Sequence, residues 1–178
     1  MAEFNYKALI AVSDTRVADT INFILGSHNI MDVVRVDCTH DAIDAMLDIR
    51  FDLFFVDARV PVTFQRNAVL YGGIDYIRFI RMCEGRVSEA TIVFMRQQSS
   101  MQNLLETRDE ILSARDAGAS CVLTHPLTIE KFDEEVLPIL AKPKPFVRAR
   151  SYTGPDRREK QFQVSRDRRI YPSSTLDD

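Results

Sequence analysis

The residues with the richest chemistry lie near the C-terminus, in the segments RARSYTGPDRR at 148–158 and RDRR at 166–169. The planar guanidinium of arginine can bond the O6 and N7 atoms of guanine, clasp a phosphate or stack on a base. An aspartate can accept hydrogen bonds from the N1 and N2 donors of guanine. Tyr152 and Tyr171 offer flat faces on which bases can stack. Together these residue types suit a guanine nucleotide.

The tripeptide Asp–Arg–Arg occurs twice, starting at Asp156 and at Asp167, eleven residues apart. Gly154–Pro155 favours a turn that aims Asp156 and Arg157 in one direction. A ligand with two guanines and two phosphates would use such a duplicated tripeptide. The alternative is a solvated basic segment that holds an acidic protein, an anionic membrane surface or RNA without specificity.

A second group of polar residues follows two apolar runs of the chain. Ser13 and Asp14 come after KALIAV at 7–12, and Asp57 ends DLFFVD at 52–57. In a doubly wound parallel sheet the ligand crevice lies at the carboxyl ends of such strands. We therefore expect these three side chains to meet in one crevice.

The elements that position both groups follow from hydrophobic periodicity. Short apolar runs alternate with helical patterns, which predicts five buried strands and five helices in an α/β fold. The natural arrangement is a doubly wound parallel sheet of order 2-1-3-4-5. Gly118 should end a helix from about residue 102 to 117. The predicted strands cover 7–12, 33–38, 52–57, 91–95 and 120–124, and the last helix covers 127–140.

The composition changes after Leu140. Residues 142–178 contain four prolines and few aliphatic side chains, which predicts a tail that is disordered or ordered only by a ligand. The tail has ten Lys and Arg against five Asp and Glu, a net charge of +5, which leaves 13 against 21, or −8, for residues 1–141. We divide the chain into a domain at 1–141 and a basic tail at 142–178, and expect an anionic partner for the tail.

Several functional classes are disfavoured by the composition. No apolar run reaches the roughly 18–20 residues that cross a bilayer, and the N-terminus lacks a signal-peptide pattern, so we expect a cytoplasmic protein without membrane insertion. Cys38, Cys83 and Cys121 lack metal-ligand spacing and are expected to be reduced core residues. The sequence contains no nucleophile–base pair, phosphate-cradling glycine loop or metal cluster that would indicate an enzyme.

The order and spacing of four motifs resemble a CheY-like receiver domain of response regulators throughout residues 7–140. The motifs are SD, FDLFFVDARVP, GGIDYIRFIR and THP. The resemblance implies that Asp57 is the phosphoacceptor and that Asp14 belongs to the acidic pair that holds magnesium. It also implies a cis peptide bond between His125 and Pro126.

Several receiver positions carry different residues here. Ser13 replaces the first acid, Arg96 falls near the usual Thr or Ser, and His125 replaces the usual Lys. Met95 could equally hold the place assigned to Arg96. With one charged ligand lost, magnesium binding at Asp14 and Asp57 should be weak. We expect a vestigial phosphoacceptor site in which Arg96 is the ion-pair partner of Asp57. The alternative is a phosphorylatable single-domain response regulator that uses Asp57.

A longer connection follows the third strand, since residues 62–72 exceed the length that receivers usually have there. Such a loop can serve an interaction or be neutral.

The tail carries a second resemblance, because RSYTGPDRR and RDRR look like the arginine-rich extension of the Cle proteins, CheY-like effectors of cyclic di-GMP. This implies a non-enzymatic effector that binds the dinucleotide and then engages the flagellar motor switch to control motility, with possible recruitment to the motor or cell pole. A further alternative, which we consider less favoured, is a nucleic-acid-binding protein that uses the tail as an arm. The implied ligand residues are Arg150, Tyr152, Asp156, Arg157, Arg158, Asp167, Arg168 and Arg169.

Overall fold

A computed structural model describes residues 6–63, 72–97 and 104–157 of the chain. Five strands of this part form one parallel sheet of order β2-β1-β3-β4-β5, which confirms the predicted doubly wound arrangement. The strands are β1 (Lys7–Ala11), β2 (Asp32–Val36), β3 (Leu53–Asp57), β4 (Thr91–Arg96) and β5 (Cys121–Thr124).

Helices follow each strand, as the periodicity predicts. Asp14 caps the first of them, because its Oδ1 accepts a 2.9 Å hydrogen bond from the backbone N–H of Arg16. Gly118, with φ of +103°, ends the fourth. A short 3₁₀ helix, Arg86–Glu89, precedes β4. The helices are α1 (Thr15–Ser27), α2 (Thr39–Asp48), α3 (Gly73–Met82), α4 (Leu104–Ala117) and α5, which consists of the consecutive pieces Ile129–Lys131, Phe132–Val136 and Leu137–Ala141.

Both faces of the sheet are covered, which explains why its central strands are apolar at nearly every position. In β3, Leu53 and Phe55 pack toward α1 and α5, whereas Phe54 and Val56 pack toward α2, α3 and α4. All four side chains are fully buried. The two cores hold the carboxyl ends of β1, β3 and β5 at one edge of the sheet.

Two ordered strands lie within the segment for which we expected disorder. Phe146–Ala149 (β6) and Tyr152–Pro155 (β7) pair antiparallel, with Phe146 opposite Pro155 and Ala149 opposite Tyr152. The prediction of an unstructured tail is wrong for this hairpin. Its physical reason is local: Phe146, Val147 and Tyr152 supply a partly buried face that the average composition of residues 142–178 conceals. Residues 158–178 lie outside the described part.

The three cysteines are free thiols, and Cys38 is buried as predicted. Its sulfur accepts a 3.5 Å hydrogen bond from the backbone N–H of Asp41 and so caps α2. Cys83 and Cys121 are half-buried, and burial raises the pKa of both thiols.

The long connection after β3 is described only at its two ends. The backbone N–H of Gly72 donates to the carbonyl of Val60 at 2.9 Å, so the ends of this loop meet. Thr39, the first residue of α2, donates its hydroxyl to the carbonyl of Val62 at 3.3 Å. Residues 64–71, on which an interaction role would depend, lie outside the described residues.

Candidate functional site

The crevice at the carboxyl ends of the strands is built around Asp57, the last residue of β3. Its Oδ2 lies 2.6 Å from Nε2 of His125, and its Oδ1 accepts a 2.7 Å hydrogen bond from the backbone N–H of Arg59. The Asp57 and His125 side chains are 11% and 14% exposed, so this pair is largely shielded from water. Both carboxylate oxygens of Asp57 are therefore engaged by groups of the chain itself.

The backbone positions His125 at the crevice. Its N–H donates to the carbonyl of Arg96 at 2.8 Å, and the following peptide bond to Pro126 is cis, as the receiver resemblance implies. A cavity of about 490 Å³ lies beside the pair and is lined in part by Ser13, Asp14, Asp57 and His125. The structure thus brings together four of the five residues predicted for the vestigial site.

Arg96 is the exception, and its predicted role as the partner of Asp57 is wrong. In the sheet register Met95 is the neighbour of Asp57, whereas Arg96 is the neighbour of Thr124. Successive side chains of a strand point to opposite faces, so Arg96 turns toward α4. There its Nε lies 2.8 Å from Oε2 of Glu110.

Met95 consequently holds the receiver position that our sequence reasoning left open between two residues. Its fully buried side chain packs in the core shared by α1 and α5. A thioether is a weak acceptor that donates no hydrogen bond, so it cannot replace a hydroxyl that would follow a phosphoryl group.

The carboxylates of the crevice do not fit a magnesium site. Asp57 uses both oxygens in hydrogen bonds, Asp14 caps α1 with one of its own, and Ser13 adds no charge. Among the described residues, no group of three or more His, Cys, Asp or Glu side chains could hold a metal ion. A hard divalent cation is bound by several oxygen ligands, and among its described residues the crevice offers only two carboxylates.

A second site lies on the hairpin, where Arg157 stacks on Tyr152. The guanidinium carbon is 3.8 Å from the ring centroid, and Nη1 donates to Oδ1 of Asp116 in the last turn of α4. Partial burial works to lower the pKa of Arg157, but the contacts with Tyr152 and Asp116 raise it by more, so the net shift is upward. The guanidinium is therefore a permanent cation held flat against an aromatic ring.

A cavity of about 570 Å³ opens beside this stack. Three predicted ligand residues, Tyr152, Asp156 and Arg157, line it. Arg150 lies exposed in the turn between β6 and β7. The sequence reasoning missed Asp116, which also lines the cavity but stands far from the arginine-rich segments in the chain. The predicted ligand residues Arg158, Asp167, Arg168 and Arg169 lie outside the described part of the chain.

Arg81, in the last turn of α3, holds together the chain segments on which the hairpin packs. Its side chain is buried, and its guanidinium donates to the carbonyls of Gly118 at 2.9 Å, Ser88 at 2.6 Å and Ala90 at 2.7 Å. It also lies 5.5 Å from the ring centroid of Phe146 in β6. Burial lowers the pKa of Arg81 to about 10, against a smaller opposing effect of Tyr152. The sequence reasoning missed Arg81, although the sequence shows an arginine at a position that falls on the apolar face of this helix.

Two glycines let the hairpin approach the receiver-like body, the described residues of 6–141, closely. A Cβ on Gly118 would lie 2.6 Å from the carbonyl oxygen of Thr153, and one on Gly154 would lie 3.0 Å from the Cα of Gly118. Such distances are shorter than van der Waals contact, so only glycine fits at either position. The hairpin is packed against the body rather than merely near it.

The two sites lie at opposite edges of the sheet. Asp57 ends β3 and His125 follows β5, whereas the hairpin packs against Gly118, which precedes β5, and bonds Ser88, which precedes β4. A strand of this length spans roughly 17–20 Å, which separates the crevice from the hairpin cavity.

No family model and no curated protein matches the sequence. Solved structures do match. A response regulator from Thermotoga maritima has a TM-score of 0.59 at 16% identity and covers 78% of this chain and 99% of its own. The chain has the receiver fold. A CheY-like receiver domain from Methanospirillum hungatei aligns over 76% of this chain and 94% of its own, with a TM-score of 0.59 and 15% identity.

A third solved structure also matches. The receiver domain of a sensor histidine kinase from Pseudomonas aeruginosa, solved with magnesium in its active-site cleft, has a TM-score of 0.55 at 20% identity. It covers 73% of this chain and 93% of its own. These matches establish a shared fold. Among the described helices, none combines the length and apolarity that a membrane span requires.

Proposed function

We propose that this protein is a non-enzymatic CheY-like signalling effector that binds cyclic di-GMP through its arginine-rich tail. The observation that carries the proposal is the hairpin cavity, where the Arg157 guanidinium lies on Tyr152 beside the carboxylates of Asp116 and Asp156. Planar stacking, a fixed cation and carboxylate acceptors are what a guanine base and its phosphate require. Three residues that the Cle resemblance implies as ligands converge on this one cavity.

The remaining implied ligands fit a coupled folding event. Arg158, Asp167, Arg168 and Arg169 would complete the site, because arginine can bond guanine or phosphate and aspartate can accept from guanine. In this proposal the dinucleotide supplies the charge and the stacking surfaces that order the rest of the tail. The ordered hairpin, already packed on α3 and α4, is the platform on which that ordering starts.

The loaded protein then engages a protein partner, which we propose is the flagellar motor switch, to control motility. A cytoplasmic protein recruited to the motor or cell pole would meet this partner. The contact surface would comprise α4, β5 and α5. Co-precipitation of the purified motor switch protein should depend on added cyclic di-GMP. Equal recovery with and without the dinucleotide would contradict ligand control of this step.

The crevice supports a switch that has moved away from phosphorylation. His125 already pairs with Asp57, and Met95 stands where a hydroxyl would follow the phosphoryl group. Incubation with acetyl phosphate and magnesium should therefore leave Asp57 without a stoichiometric adduct, as measured by intact-protein mass spectrometry. A stoichiometric adduct on Asp57, absent from an Asp57→Asn variant, would favour the phosphorylatable response regulator instead.

Isothermal titration of the full chain with cyclic di-GMP tests the ligand directly. We expect micromolar or tighter binding by the wild type, and loss of detectable binding in an Arg157→Ala/Arg158→Ala variant. Arg78→Ala is the matched control, since this arginine lies on α3 in an exposed ion pair with Asp75. Undetectable binding by the wild type would refute the proposed ligand. Tight RNA binding that weakens steeply with salt would point to a nucleic-acid arm.

A further inference from the structure

Asp116 belongs to the receiver-like body but faces the tail cavity. It lies in the last turn of α4, its side chain is 67% exposed, and its Oδ1 accepts from Nη1 of Arg157. An acidic side chain at this end of a helix meets the negative end of the helix dipole, which is unfavourable. An aspartate at position 116 therefore does not stabilise α4. Its contact with Arg157 of the tail explains why an acidic residue stands there.

The ion pair of Asp116 and Arg157 presents a hydrogen-bond acceptor beside a donor. Guanine presents the complementary order, because its O6 acceptor lies next to its N1 and N2 donors. Adenine presents the reverse order, with its N6 donor next to the N1 acceptor. A fixed carboxylate–guanidinium pair can therefore distinguish guanine from adenine by the order of hydrogen-bond donors and acceptors on the base.

We propose that Asp116 accepts hydrogen bonds from N1 and N2 of one guanine while Arg157 donates to its O6. Asp116 is then a specificity-determining residue, and the dinucleotide site spans the receiver-like body and the tail. This inference rests on the proposed binding of cyclic di-GMP. It adds a ligand residue from outside the arginine-rich segments.

The surroundings of Arg157 support this role. Among the described residues, its buried Nε has no hydrogen-bond partner, so the guanidinium retains a donor that Asp116 does not satisfy. A buried donor without an acceptor is costly, which favours a rearrangement that supplies one. Tyr152 is fixed beneath it, since its hydroxyl donates to the carbonyl of Pro155 at 2.8 Å. The pair is thus held in place on one side and open to a ligand on the other.

The position of Asp116 is set by the docking of the hairpin. Gly118, two residues further along the chain, contacts Gly154 so closely that neither position can carry a side chain. This contact holds the end of α4 against β7, which carries the Tyr152 ring. The carboxylate and the stacking surface therefore keep a constant relation to each other.

Paired titrations of the full chain with cyclic di-GMP and cyclic di-AMP test the inference. We expect Asp116→Ala to weaken cyclic di-GMP binding about ten- to hundredfold, the range for losing one bidentate base contact. The preference for cyclic di-GMP over cyclic di-AMP should shrink by a similar factor. Asp116→Glu retains a carboxylate and should retain most of that preference. Asp109→Asn removes a charge from an exposed position of the same helix and should change neither value.

The possible outcomes separate the inference from the proposed function. Wild-type binding that Asp116→Ala leaves unchanged would overturn the inference alone. Equal weakening for both dinucleotides would assign Asp116 to hairpin docking and also overturn it. Hydrogen exchange at residues 146–155 checks that docking is intact in each variant. Absence of wild-type binding to cyclic di-GMP would remove the proposed function and this inference with it.

Discussion

The charged groups at the two edges of the sheet differ in how fully they are hydrogen-bonded. At the carboxyl edge, His125 and the backbone of Arg59 already satisfy both oxygens of Asp57. At the opposite edge, the buried Nε of Arg157 has no hydrogen-bond acceptor among the described residues and lies near an open cavity. The crevice is thus a satisfied polar cluster, whereas the hairpin cavity adjoins a donor without an acceptor.

Helix α4 is common to both regions. Arg96, at the end of β4, bonds Glu110 and Thr107 in the first half of α4. Asp116, in the last turn of α4, bonds Arg157 of the tail. A shift of α4 would alter contacts at both edges. Substitutions at each edge show whether the two edges act independently.

Arg81→Ala should have the largest effect. It removes three buried hydrogen bonds to the carbonyls of Gly118, Ser88 and Ala90, so we expect a loss of about 3 kcal/mol or more in the free energy of unfolding. Urea denaturation measures it. Arg78→Ala, on an exposed turn of the same helix, should cost at most about 0.5 kcal/mol. Equal stability of the two variants would mean that the buried hydrogen bonds of Arg81 contribute little to stability.

Gly154→Ala should have a smaller and more local effect. The added Cβ would meet the Tyr152 hydroxyl and Gly118, and overpacking of this kind costs about 1–3 kcal/mol. Faster amide hydrogen exchange at 146–155, without change in β1 or β3, would show that only the hairpin is released. Gly26→Ala in α1 is the control, because the nearest atom to its Cβ is 4.0 Å away. Global loss of protection would indicate that hairpin and body unfold together.

His125→Ala tests the independence of the two edges. It leaves Asp57 without its closest partner, which we expect to cost about 1 kcal/mol, since the backbone hydrogen bond from Arg59 remains. Calorimetric affinity for cyclic di-GMP should stay within about twofold of the wild type, a difference of about 0.4 kcal/mol. A tenfold change would demonstrate coupling between the crevice and the tail.

Arg148→Ala should have the smallest effect. Its guanidinium bonds the Ser88 hydroxyl at 2.8 Å and lies 3.4 Å from Glu89, but both charged side chains are 53% exposed. Exposed contacts of this kind are worth about 0.5 kcal/mol or less. Urea denaturation of Arg148→Ala and Arg81→Ala in parallel compares the stability lost with an exposed contact and with a buried one. A loss as large as that of Arg81→Ala would mean that the exposed contact of Arg148 stabilises the protein as much as the buried contacts of Arg81.

Much of the architecture could be predicted because its signals are local or follow from general handedness. Apolar runs such as DLFFVD indicated strands that are buried on both faces, and the sheet order followed from alternating strands and helices. The gathering of Ser13, Asp14 and Asp57 at one crevice followed from that order, and the place of His125 there followed from the receiver resemblance. The hairpin was missed because ten residues with apolar side chains on one face were averaged into a polar segment of 37 residues.

By itself the sequence determined which residue types this protein brings to its sites: a crevice with Asp57 but without its usual hydroxyl and lysine, and a tail rich in arginine. Only the tertiary structure decided their partners. A shift of one residue along β4 reverses the direction of a side chain, so the register assigned Arg96 to Glu110 and left Asp57 to His125. Asp116 joined Arg157 across 41 positions because two glycines permit close contact between α4 and the hairpin. Distances between such remote residues depend on packing, which no local pattern in the chain records.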